Sequence, residues 1–144
     1  CQCGEITYEV TEMPITLYAC HCTECQKQSS SGYGMSMQVP KTGFSFKGTP
    51  KFWERNSSSG STVECAFCPE CGSRLFHSPL RNNSVVNIKP GTLNDTSWLK
   101  PVGHIWVSRA QKGIFFSPES LKYEHQPNTF KPLYEAWFNQ FEEA

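Results

Sequence analysis

Eight cysteines stand in three close groups, a spacing that suits metal–thiolate chemistry. The first group is Cys1-Gln2-Cys3-Gly4, and the second is Cys20-His21-Cys22-Thr23-Glu24-Cys25. The third is Cys65-Ala66-Phe67-Cys68-Pro69-Glu70-Cys71-Gly72. C-x-C and C-x-x-C spacings aim thiolates at one point, which suits a soft metal ion and above all zinc. A four-thiolate site leaves four cysteines, three of them in the compact C-x-C-x-x-C group. The expectation is two zinc ions per chain, one closed off and one open to chemistry.

Cys68-Pro69-Glu70-Cys71-Gly72 has the form of a zinc knuckle. Gly72 permits the backbone geometry that turns amide donors toward sulfur. A knuckle supplies two ligands, and Cys1-x-Cys3-Gly4 is the available second pair. A closed site of Cys1, Cys3, Cys68 and Cys71 would tie the N-terminus to the middle of the chain. It would contribute folding energy and leave no room for substrate.

Cys20, Cys22 and Cys25 make the second group of ligands. Zinc on three thiolates carries net negative charge and is a poor Lewis acid toward a carbonyl. It is a good host for a further thiol, whose pKa the metal lowers. The open site therefore points to thiol activation over hydrolysis. Its thiolates are also the ones at risk of oxidation or metal loss, so this zinc is expected to be the less fully held. The alternative is a second structural site closed by His21, His77 or Cys65. Cys65 stands three residues before Cys68, so C-x-x-C can be read in two registers. The Pro-x-Cys-Gly ending favours Cys68 and Cys71, leaving Cys65 as a buried core cysteine. A fourth ligand or a redox thiol are its other readings.

These groups need elements to position them. Ile6, Tyr8 and Val10 alternate with polar residues as a half-buried strand does, and Ile15, Leu17 and Ala19 do the same on the way to Cys20. Residues 22–28 suit one or two helical turns, ended by the Ser-Gly run at 29–32. Further short strands are expected at 34–39, 44–48, 50–54, 62–67, 73–77, 84–89 and 104–107, with a loop at 56–61. Leu133, Trp137, Phe138 and Phe141 have near-helical spacing and predict an amphipathic C-terminal helix. The fold class is all-β, with few short helices and no βαβ alternation.

The chain has 144 residues, enough for one domain with a modest core. Thirteen basic residues balance thirteen acidic ones, which gives no electrostatic case for nucleic acid or an anionic membrane. No apolar run approaches membrane-spanning length. Ten Phe, five Tyr and four Trp, with ten Gly and ten Pro, favour strands and turns over long helices. Clustered cysteines argue against a secreted disulfide framework, in spite of N-x-S/T triplets at Asn56, Asn82 and Asn94. A reducing cytoplasm is the expected location. The chain opens on Cys1 without a Met, as a chain with residues upstream would.

The ordered motifs Cys1-x-Cys3-Gly4, Cys20-His21-Cys22-x-x-Cys25, Phe67-Cys68-x-x-Cys71-Gly72 and His104-Ile105-Trp106 resemble the glutathione-dependent formaldehyde-activating enzyme family, which includes the centromere protein V group. The resemblance covers residues 1–125 as a zinc-binding domain, with 126–144 as an aromatic-rich tail beyond it. It implies the β-tent fold, antiparallel sheets around a structural zinc held by Cys1, Cys3, Cys68 and Cys71. It implies a catalytic zinc on Cys20, Cys22 and Cys25. It implies a carbon–sulfur lyase or thiol-adduct synthase that condenses glutathione with formaldehyde or a related small aldehyde.

Glutathione carries two carboxylates, so its site should offer cations. Lys27 is the candidate contact, with Arg74 and His77 behind it. His104 reads as a structural histidine or a proton carrier, Trp53 and Trp106 as core, and the His21 ring as turned away from the metal. The tail is expected to pack on the domain, cover the open zinc, extend the pocket or form a homodimer contact. The competing function is a non-catalytic zinc-stabilised module that holds a protein partner.

Overall fold

Period-two alternation builds a β-rich structure; the computed structural model describes residues 1–79 and 83–143, so Asn82 and the final Ala144 lie outside it. The strands are β1 (Thr7–Val10), β2 (Thr16–Cys20), β3 (Gly34–Pro40), β4 (Phe44–Lys47), β5 (Lys51–Asn56), β6 (Thr62–Phe67), β7 (Arg74–Pro79), β8 (Val85–Ile88), β9 (Gly103–Ile105) and β10 (Leu121–Lys122). The α-helices are α1 (Thr23–Ser29) and α2 (Lys131–Glu142). β1 pairs with β4, and the other eight strands form one sheet in the order β10-β9-β2-β3-β8-β7-β6-β5. Pairing is antiparallel except at β9, which lies parallel to both β2 and β10. The chain between β8 and β9 returns across the sheet, so β9 arrives in the same direction as β2.

Register sorts the side chains by face. Leu17, Met37, Ile88, Phe76 and Ala66 lie opposite one another across β2, β3, β8, β7 and β6. That row is buried and joins Ile6, Val39 and Leu75 in the main core. The neighbouring row is Thr16, Gln38, Asn87, His77 and Cys65, so the other face of the sheet is polar. Sequence alternation thus yields a greasy face and a functional one.

Trp137 and Leu133 of α2 are both buried, and α2 packs on β2. The Trp137 indole N–H donates to the Pro14 carbonyl at 2.8 Å, and the Thr16 hydroxyl donates to the Leu133 carbonyl at 2.9 Å. Gly103 permits this approach, because a Cβ there would fall 2.4 Å from Leu133 Cδ2. Among the described residues no helix is long and apolar enough to cross a membrane.

Candidate metal centres and pocket

The knuckle and the N-terminus meet. Sγ atoms of Cys1, Cys3, Cys68 and Cys71 all lie within 4.8 Å of one another. Cys1 to Cys3 is 3.6 Å and Cys3 to Cys68 is 3.7 Å. Four thiolates around zinc at about 2.3 Å would stand about 3.8 Å apart, so the set fits a tetrahedral zinc. Backbone donors support it. The Ile6 N–H points at Cys1 Sγ from 3.3 Å, and Gly72, at φ +76°, donates to the Cys68 carbonyl at 2.8 Å. The Ser73 hydroxyl and its backbone amide bring the Cys71 thiol down to about 6, which favours the ligating thiolate.

The second group forms where β2 hands over to α1. Cys20 ends the strand, and Cys22 caps the helix by accepting the Cys25 N–H at 3.4 Å. The sulfurs of Cys20, Cys22 and Cys25 lie within 4.8 Å of one another, and all three residues are buried. Hydrogen bonds from Cys20 and Cys25, with one from Ser58, hold the Cys22 thiol far below its usual range. Its own contacts with Cys22 and Cys25, then burial, push Cys20 up. Three thiols packed this closely suit a shared cation. Both clusters could hold metal ions and both suit zinc. Cys65 is buried on β6 between Trp53 and His77 and belongs to neither.

His21 turns toward β9, where its Nε2 lies 2.9 Å from His104 Nδ1. Tyr33 and Phe116 pack on the His21 ring at 5.2 Å each. Burial, then the neighbouring His104, lowers His21 to about 4, so the pair is neutral. The Gln26 amide donates to the His21 carbonyl at 2.8 Å and to the Arg109 carbonyl at 2.9 Å, which pins the loop.

The three thiols open into a cavity of about 290 Å³ over the polar face of the sheet. Arg55 and His77 line it, with serines 57–59 and 61 of the β5–β6 hairpin on one side. Trp106, Phe130 and Tyr134 close the other side. No Asp or Glu lines it. Arg55 donates through Nη1 to the Asn56 carbonyl at 3.2 Å and leaves Nε without a partner. Tyr134 donates to Gln38 Oε1 at 3.1 Å, so the C-terminal helix contributes to the wall. Burial, then Lys89 and Arg55, holds His77 well below its ordinary value, hence neutral.

Lys27 does not join this group: its side chain is 76% exposed and its ammonium sits 3.6 Å from Glu24. Arg74 lies outside the cavity as well. Trp53, expected in the core, is 53% exposed because β5 is the edge of the sheet. Trp106 is half-buried, packing on the smaller core cluster around Tyr18 and Ile105 while also lining the pocket. Arg55, Ser58 and Tyr134 were not legible as site residues, since no local motif marks them.

The fold and its two thiol clusters define a β-rich protein built to hold metal on cysteine. The family model described as glutathione-dependent formaldehyde-activating enzyme matches residues 1–109, and the chain belongs to that family. A crystal structure of a Rhodobacter sphaeroides protein, a Northeast Structural Genomics target, is similar in fold. Its TM-score is 0.51 at 14% identity, with 85% of this chain and 95% of that one covered. A search of curated proteins finds no match.

Proposed function

We propose that this protein is a carbon–sulfur lyase of the thiol-adduct type, joining glutathione to formaldehyde or a related small aldehyde. The observation that carries the reading is the convergence of Cys20, Cys22 and Cys25, with no fourth ligand atom grouped with them among the described residues, at the end of a cavity whose described lining has no Asp or Glu. Cys1, Cys3, Cys68 and Cys71 would hold a structural zinc, and Cys20, Cys22 and Cys25 a second zinc. Bound there, zinc would supply an open coordination position at which an incoming thiol has a lowered pKa.

The rest is done by the chain. In the addition, the thiol sulfur forms a bond to the carbonyl carbon while the C–O π bond breaks, and the thiol proton ends on the new hydroxyl. Ser57, Ser58 and Tyr134 line the cavity, and their hydroxyls, now bonded to Ser59, Cys22 and Gln38, would re-aim at that oxygen. Tyr18, raised by burial and bonded to Gln38 and Ser36, stays protonated under the thiols. The Nε side of Arg55 is the free fork for a glutathione carboxylate and replaces Lys27 as the cation in reach. Aromatic walls at Trp106 and Phe130 limit water. Cysteines grouped for metal rather than paired as disulfides are in keeping with a reducing, cytoplasmic setting.

The test follows ¹³C-formaldehyde and glutathione by NMR. Zinc-loaded protein should speed exchange into the hydroxymethyl adduct, and Cys25→Ser should abolish the effect while retaining the fold. Equal rates with wild type, Cys25→Ser and buffer would refute the proposal.

A further inference from the structure

A second cavity, of about 500 Å³, lies on the other side of α1 and shares no lining residue with the thiol pocket. It sits between the C-terminal end of α1, the Cys71-Gly72 end of the knuckle and the 3₁₀ turn Pro90–Thr92. Two cations line it, Arg74 and Lys89, and no Asp or Glu does. Ser29, Ser30, Ser73 and Thr92 line it as well.

The cations are unanswered. Arg74 Nε and Nη2 and Lys89 Nζ are buried and make no hydrogen bond. Neither side chain forms an ion pair among the described residues. Unpaired buried charge is costly, and native interiors normally answer it. A guanidinium fork and a point-charge ammonium together match the acceptors of an oxyanion. We propose that this crevice binds a small oxyanion, the carboxylate or phosphate group of a metabolite, through Arg74 and Lys89. Burial lowers Lys89 to about 8; Cys25 favours its ammonium, while Arg74 and Arg55 oppose it.

Gly91 provides a clean probe. It lines the crevice, and a Cβ built there meets nothing within 4 Å. Gly91→Asp therefore adds a repelling carboxylate without crowding the fold. The experiment titrates the zinc-loaded chain with inorganic phosphate and, separately, with succinate, read by calorimetry. At least one anion should bind saturably, and the better of the two identifies the class. Arg74→Gln and Gly91→Asp should each weaken binding at least about tenfold. Arg55→Met, in the thiol pocket, should not weaken it, since Arg55 opposes the Lys89 charge. The proposal falls if neither anion binds, if binding survives Gly91→Asp, or if Arg55→Met abolishes it. If Arg74→Gln fails to fold, Gly91→Asp decides alone.

Discussion

His21 Nε2 stands 2.9 Å from His104 Nδ1, so the residue between Cys20 and Cys22 is tied to the neighbouring strand by a side-chain hydrogen bond. Second-layer partners of this kind orient ligands and commonly change metal affinity 10- to 100-fold when removed, by order of magnitude. His104→Ala is expected to weaken the second metal site by about tenfold and leave the knuckle site unchanged. Chelator competition on the two sites checks this. Equal loss at both sites would mean that His104 serves the fold as a whole.

The same pair sets a pH dependence. His21 is lowered to about 4 from an ordinary 6.5, mainly by burial. Between those values the unfolded chain takes the proton and the folded chain does not. Stability from this group is therefore complete above 6.5 and is lost as pH falls toward 4. Histidine ring NMR should show His21 in its neutral form down to about pH 5. An inflection near the ordinary value would contradict the buried, neutral pair.

In the proposed function Arg55, which lines the thiol cavity with Nε unpartnered, would read the substrate's charge. Losing a charge-assisted hydrogen bond costs about 1.5–3 kcal/mol, roughly 10- to 100-fold. Arg55→Met should raise KM for glutathione by about that factor and barely change kcat. A neutral thiol such as 2-mercaptoethanol should be handled equally by both forms. If both thiols suffer alike, Arg55 supports the hairpin and does not recognise the carboxylate.

Much of this was legible because it is local. Cysteine spacing marks both clusters, and strand alternation marks β2, β3 and β6. Arg55 and Ser58 were not legible, because their place beside Cys22 depends on how the β5–β6 hairpin folds over the sheet. Trp53 was misplaced for the same kind of reason: composition says core, but only the strand order says that β5 is an edge. β9 as a parallel partner of β2 likewise depends on the return of a long connection. Lys27 looked near Cys25 in sequence, yet its pairing with Glu24 keeps it at the surface.

Gly103 is a packing requirement. Its absent side chain leaves room for Leu133, 2.4 Å from where a Cβ would stand. Gly103→Ala should cost about 1–3 kcal/mol by overpacking, seen as a lower Tm. An unchanged Tm would show that Leu133 can move aside freely.

The C-terminal helix is part of the fold. Trp137 is 1% exposed and bonded to the Pro14 carbonyl. Trp137→Ala should lose about 3–5 kcal/mol in denaturant unfolding. A loss under about 1 kcal/mol would place the helix outside the cooperative unit.

The central claim is that Cys20, Cys22 and Cys25 leave a metal with one position open to an outside thiol. Cobalt(II) substituted for zinc reports its thiolate count through sulfur-to-metal charge-transfer absorption. Titrating the cobalt protein with glutathione should raise that absorption saturably, by about the increment of one added thiolate, and Cys25→Ser should remove the response. A spectrum that glutathione leaves unchanged would mean the second centre is closed, and the thiol chemistry proposed for it would be wrong.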